Sequence, residues 1–172
     1  MKLKNMFVAA LAALATALPV QARVESQTDD LLRMVSQEGI MVKVNTAECR
    51  QYPIHGAYIT YGNSRSMVLC PGERWDAIDH STVRHEMAHA LQHCVNTKRG
   101  TPRNEPIIRD RSQLAQLVNT YVPEGQVISI KESYPREKWL VEFEANYVEL
   151  VMTSSSLMRL WDEFGCREVF NV

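Results

Sequence analysis

Residues 83–95 read VRHEMAHALQHCV, and the winding of this stretch decides the fold. Val83, Met87, Ala90, Leu91 and Val95 recur at three- and four-residue steps, the period of an α-helix with one face in a core. On such a helix His85 and His89 stand one turn apart on a shared face, with Cβ atoms about 5–6 Å apart. Two imidazoles at that spacing can reach a single Zn²⁺ ion, and Glu86, next to the first, can hold and deprotonate a water there. An amphipathic helix with two surface histidines would share the spacing. The apolar residues bracketing the motif favour placing its other face against a core.

Working outward, this helix begins near Asp76 or near Ser81 and runs to about Asn96. Upstream, residues 26–38 form a first helix, with Ser26 or Thr28 as cap, Leu31, Leu32, Met34 and Val35 as its apolar stripe, and Gly39 as its stop. Residues 40–44 read as a short strand. Residues 57–61 and 66–70 are β-rich and flank Gly62-Asn63-Ser64-Arg65, a hairpin signal, and Pro71-Gly72 ends the second strand. Downstream, residues 97–106 form a polar loop, 111–121 a helix and 127–131 a short strand. Pro135 then opens a helix to about residue 153, and a last short helix over 156–164 ends at Gly165. One helix, a short antiparallel sheet and then mostly helices make the class α+β.

The chain has 172 residues. Residues 1–22 read as a secretory signal: Lys2 and Lys4 lead, residues 6–18 carry no charge, and Val20-Gln21-Ala22 offers a small-residue cleavage site. The apolar run is shorter than the roughly 20 residues of a membrane span, so no permanent anchor is expected. Cleavage would leave 150 residues, 23–172, as a single domain, and the loss of two lysines would take the net charge from −1 to −3. A mildly acidic chain without a basic tract is a poor nucleic-acid binder. The expected location is exported, in a bacterial periplasm or outside the cell. Oligomeric state is not legible, nor is whether residues 23–48 are part of the domain or a removable pro-segment.

Four cysteines suit an oxidising compartment. Four allow three connectivities. The hairpin between Cys49 and Cys70 favours a local bridge closing it, which leaves Cys94 with Cys166. The absence of a Cys-x-x-Cys pair disfavours a thiol redox site or a cysteine-rich zinc site.

A catalytic zinc site needs a third protein ligand and an open position. Gln92 and Val95 stand where the metzincin pattern would place Gly and His, so that arrangement fails. Residues 139–147, WLVEFEANY, put two carboxylates in an apolar run, where burial is costly without a compensating cation or donor. Glu142 and Asn146 share one helix face, while Leu140, Phe143, Tyr147 and Val151 can pack inward. Glu144 is the competing ligand and would need a different rotation of the helix.

The pair of helices resembles the gluzincin type of zinc metallopeptidase, with His-Glu-x-x-His on one helix and a Glu ligand on a later one. Glu142-Phe143-Glu144-Ala145-Asn146 is similar to the Glu-x-x-Ala-Asn/Asp signature of its small members, which include membrane-associated prenyl-protein and heat-shock proteases and a bacterial family that cleaves phage repressors or radiation-response regulators. The resemblance implies a zincin-like domain with zinc on His85, His89 and Glu142. It puts Asn146 beside the ligands, gives His93 a counterpart in the repressor-cleaving family, and makes residues 66–69 the sheet edge that pairs with extended substrate. Export and the cysteines set this chain apart from the cytosolic members and their regulatory substrates.

The expectation is an exported zinc-dependent peptidase, an endopeptidase acting on peptide or protein substrates, with Glu86 as general base and then acid. The alternative is a catalytically inactive zincin-like scaffold that binds a partner or cell-envelope component. Tyr58, Tyr61, Tyr121 and Tyr134 are the candidate donors to an oxyanion, each equally readable as a core or rim aromatic. His55 and His80 read as polar loop residues.

Overall fold

The computed structural model describes residues 24–73, 75–101 and 105–170, so the leader expected over residues 1–22 lies outside the described residues. Helix α1 spans Val24–Gln37 and contains Ser26 and Thr28, the two expected caps; Thr28 instead lies buried and bonded to His80 at 3.0 Å. The chain turns at Gly39, whose φ of 78° suits a residue without a Cβ, and enters strand β1, Met41–Val44. A short helix not read from the sequence, α2 (Ala47–Gln51), leads to strands β2 (Gly56–Tyr61) and β3 (Ser64–Leu69). The hairpin between them turns in two residues, not four. Ser64 and Arg65 pair with Tyr61 and Thr60, and Gly62 supplies the positive φ of 57°.

The sheet order is β1–β3–β2, with β1 parallel to β3 and β2 antiparallel to it. The expected antiparallel sheet is therefore a mixed one. The expected edge is also corrected, because residues 66–69 lie in the central strand, and the edges are β1 and β2. The hairpin is a local pairing, whereas β1 reaches β3 only after the chain has passed through α2 and β2. Sequence pattern marks β1 as a strand without naming its neighbour.

Helix α3, Ala77–Arg99, starts at Asp76, whose side chain accepts from the Ile78 and Asp79 N–H groups while the Asp79 carboxylate accepts from the Asp76 N–H. It stops at Gly100 in the left-handed conformation, φ 64°. Helix α4, Arg111–Tyr121, is capped by Asp110. The strand expected over 127–131 is instead part of helix α5, Glu124–Ser133. Only Ile130 of α5 is buried, and among the described residues no strand pairs with this segment; a helix satisfies its own N–H and C=O groups. Pro135 opens a 3₁₀ turn, Arg136–Lys138, and helix α6 follows as Trp139–Val151. Thr153, expected to end that helix, caps the next one, α7, Ser154–Glu163. Helix α8, Arg167–Phe170, completes the described chain.

The class is α+β. Helix α3 runs through the molecule, packed on β2 and β3 on one side and on α6, α1 and α7 on others. Met67, Leu69, Val83, Met87 and Leu91 fill the space between sheet and helices, and Trp161 stacks on Phe170 at 4.9 Å. Leu31, Val35 and Ile40 are fully buried, so α1 and the entry to β1 are built into the core. The disulfides are Cys49–Cys70 and Cys94–Cys166. Among the described residues, no helix is long and apolar enough to cross a membrane.

Candidate metal centre

Helices α3 and α6 face each other across the centre of the molecule. From α3 come His85 and His89, with Nε2 atoms 3.2 Å apart. From α6 comes Glu142, whose Oε2 lies 3.4 Å from His85 Nε2 and 3.5 Å from His89 Nε2. These three residues form a group that can hold a metal ion.

The surroundings fix which atoms carry protons. His85 Nδ1 lies 3.0 Å from a carboxylate oxygen of Glu149, two turns after Glu142 on α6, and donates to it. His89 Nδ1 donates to Gln92 Oε1 at 2.8 Å; the Gln92 amide is oriented by its own Nε2, which donates to Val141 O at 3.0 Å and Glu144 Oε2 at 2.9 Å. Both Nδ1 atoms are therefore engaged as donors, which leaves the two Nε2 atoms as the positions that face Glu142. Glu142 Oε2 is buried without a hydrogen-bond donor. Three ligand atoms converge where a cation can reconcile them.

Titration reflects the same negative field. Burial disfavours a charged His85, yet the hydrogen bonds to Glu142 and Glu149 outweigh it and raise its pKa to about 10. Burial likewise works against a charged Glu142, but the His85 and His89 rings beside it bring its pKa down to about 2.

Glu86 points to the same space from the sheet side. It is buried, and burial raises its pKa above the usual carboxylate range despite the two histidines nearby. The Tyr58 backbone N–H donates to its carboxylate, so the unpaired edge of β2 faces the site. Gly56 gives the carboxylate room: a Cβ there would stand 2.6 Å from Thr82 Cγ2 and 3.1 Å from Glu86 Cγ and Oε1.

The two acids of α6 divide as follows. Glu144 is buried away from the cation group, accepting from the Ile107 and Ile108 N–H groups at 2.7 Å each and from Gln92. Burial pushes its pKa up. Asn146 donates to Glu142 O on its own helix, and the partner of His85 is Glu149. His93 is buried, with Nδ1 2.8 Å from the Tyr58 hydroxyl. Of the other tyrosines, Tyr61 is 87% exposed, Tyr121 packs on Tyr147, and only Tyr134 hydrogen-bonds Glu142. Burial, together with Glu142 and Glu86, pushes Tyr134 up to about 12, which keeps it a donor. His80 is buried in the first turns of α3 beside Trp75 and Thr28, and His55 is an exposed loop residue.

Gly56, Gln92 and Glu149 are the site residues that sequence reasoning missed. Gln92 follows His89 by three positions and Glu149 follows Glu142 by seven, so both lie on the helix faces that carry the ligands. That spacing was the available signal. Gly56 left none, since its role rests on a contact between strand and helix. Compared with known proteins, the chain matches no family model, no curated protein and no solved structure.

Proposed function

We propose that this chain is an exported zinc-dependent peptidase of the gluzincin type, with zinc held by His85, His89 and Glu142. The observation that carries the reading is the convergence of His85 Nε2, His89 Nε2 and Glu142 Oε2 near a buried carboxylate, Glu86. Zinc bonds of about 2.0–2.1 Å in a tetrahedron put ligands about 3.3–3.4 Å apart. The three separations here are 3.2, 3.4 and 3.5 Å, so the donor set fits zinc without rearrangement. Two imidazoles and one carboxylate are also a catalytic rather than a closed structural ligand set. Among the described residues the group has no fourth member.

Zinc bound there supplies a Lewis acid that acidifies water and polarises a carbonyl. Glu86, its pKa raised by burial, takes the proton from the attacking water and hands it to the leaving amine nitrogen. Tyr134, kept protonated, turns its single O–H from Glu142 to the oxyanion of the tetrahedral adduct. Glu149 and Gln92 hold the two rings in the required tautomer. The free edge of β2 offers main-chain groups to an extended peptide, the role that the family resemblance implied for residues 66–69. The two disulfides and the leader-like residues 1–22 support export.

The test is metal analysis and peptide hydrolysis on purified protein, wild type beside Glu86→Gln. The expected result is one zinc per chain in both and a loss of kcat of about 10³-fold or more in the variant. Equal turnover in the two proteins would remove Glu86 from the reaction.

A further inference from the structure

Next to the candidate metal group lies a cavity of about 330 Å³, bounded by His89 and Glu142 on one side and by Tyr58, Thr60 and Lys138 on others. Its charge is one-sided. Glu142 is the only carboxylate in its wall, and that carboxylate is turned to the cation group. Lys138 stands at the start of α6, half-buried, and among the described residues its ammonium has no ion-pair or hydrogen-bond partner. The neighbouring lysine, Lys131, lies instead over the Trp139 ring at 5.9 Å. Thr60 lines the same cavity, and its hydroxyl likewise has no partner among the described residues.

A half-buried lysine and a threonine in the wall of one cavity supply an ammonium and a hydroxyl, the donors that receive a carboxylate. It repels lysine and arginine side chains, which would sit beside both Lys138 and the cation. We infer that Lys138 makes the site selective for substrates carrying a carboxylate next to the scissile bond, as an acidic side chain or as the free C-terminus of the peptide. This rests on the peptidase reading above and adds the substrate's chemistry to it. The larger hollow of about 570 Å³ around the Cys49–Cys70 bridge, lined by Arg50, Tyr52 and His55, has no ligand atom of the metal group in its wall.

The test measures binding, so it does not depend on turnover. Peptides whose N-terminus is replaced by a hydroxamate, a zinc anchor, are titrated calorimetrically into zinc-loaded Glu86→Gln protein. One carries Glu with an amidated C-terminus, one Gln with a free C-terminal carboxylate, one Gln and one Lys, each with an amidated terminus. At least one carboxylate-bearing peptide should bind about tenfold tighter than the neutral one, and which of them does so identifies the source of the charge. Adding Lys138→Met should remove the preference, and Lys138→Glu should turn it toward the Lys peptide. Equal binding of all four, or a preference that survives Lys138→Met, overturns the inference and leaves the metal site standing. If no hydroxamate binds whatever its side chain, the metal reading fails and this inference falls with it.

Discussion

Gly56 shows how closely the backbone is fitted to the Glu86 side chain. Its absent Cβ leaves space that Thr82 and the Glu86 side chain occupy, and a methyl group there would have to push one of them aside. Thr82 is the closer at 2.6 Å, short and fixed on a helix, so relieving that clash means shifting α3, which carries Glu86 with it, away from the strand. Gly56→Ala should therefore lower kcat by about 10²-fold, the scale of a displacement of roughly 1 Å in a catalytic group, while zinc content stays at one per chain. Steady-state kinetics beside metal analysis checks this, and unchanged kcat would show that the strand yields instead. Residues of this kind separate what the sequence discloses from what it hides. His85, Glu86 and His89 are legible because helical spacing alone joins them. Glu142 is legible through its apolar setting and through a signature borrowed from a family. Gly56, Gln92 and Glu149 acquire their roles only after a strand, a neighbouring turn or a second helix has packed, and no local pattern carries that information.

The elements carry the ligands in rigid register. Helix α3 holds two of the candidate ligands, in its third and fourth turns, so the direction in which the helix starts sets where the rings point. That start is set by the reciprocal bonds of Asp76 and Asp79. The sequence offered Asp76 and Ser81 as alternatives; the capping geometry selects Asp76, and Ser81 lies inside the helix, donating to Ile78 O. Asp76→Ala should cost about 1 kcal/mol of stability, read as a lower denaturant midpoint with unchanged slope. Asp76→Asn, which keeps an acceptor, should lose much less, and equal losses in the two would mean that charge rather than capping matters there. Element types were legible where periodicity was strong, as in α3, α4 and α6. They were not legible over 127–131, where β-branched residues suggest a strand and the lack of any neighbouring strand leaves helix as the structure that satisfies the backbone.

At the scale of the whole molecule, the two bridges constrain different things. Cys49–Cys70 closes 21 residues around the hairpin, a segment that already folds back through its own strand pairing. Cys94–Cys166 spans 72 residues, joining the far half of α3 to the segment between α7 and α8, and so encloses α6 and the third ligand of the candidate site. In the unfolded chain the longer loop loses more conformational freedom when it is closed. The logarithmic dependence on loop length makes the longer bridge the stronger by about 1 kcal/mol, within a total of about 2–5 kcal/mol for either. Cys94→Ser/Cys166→Ser should therefore be destabilised more than Cys49→Ser/Cys70→Ser in equilibrium unfolding by denaturant. Neither bridge supplies a ligand, so each variant, while folded, should still bind one metal ion. The reverse order of stabilities would mean that the hairpin, rather than the enclosure of α6, is the part of the fold that needs a covalent tie.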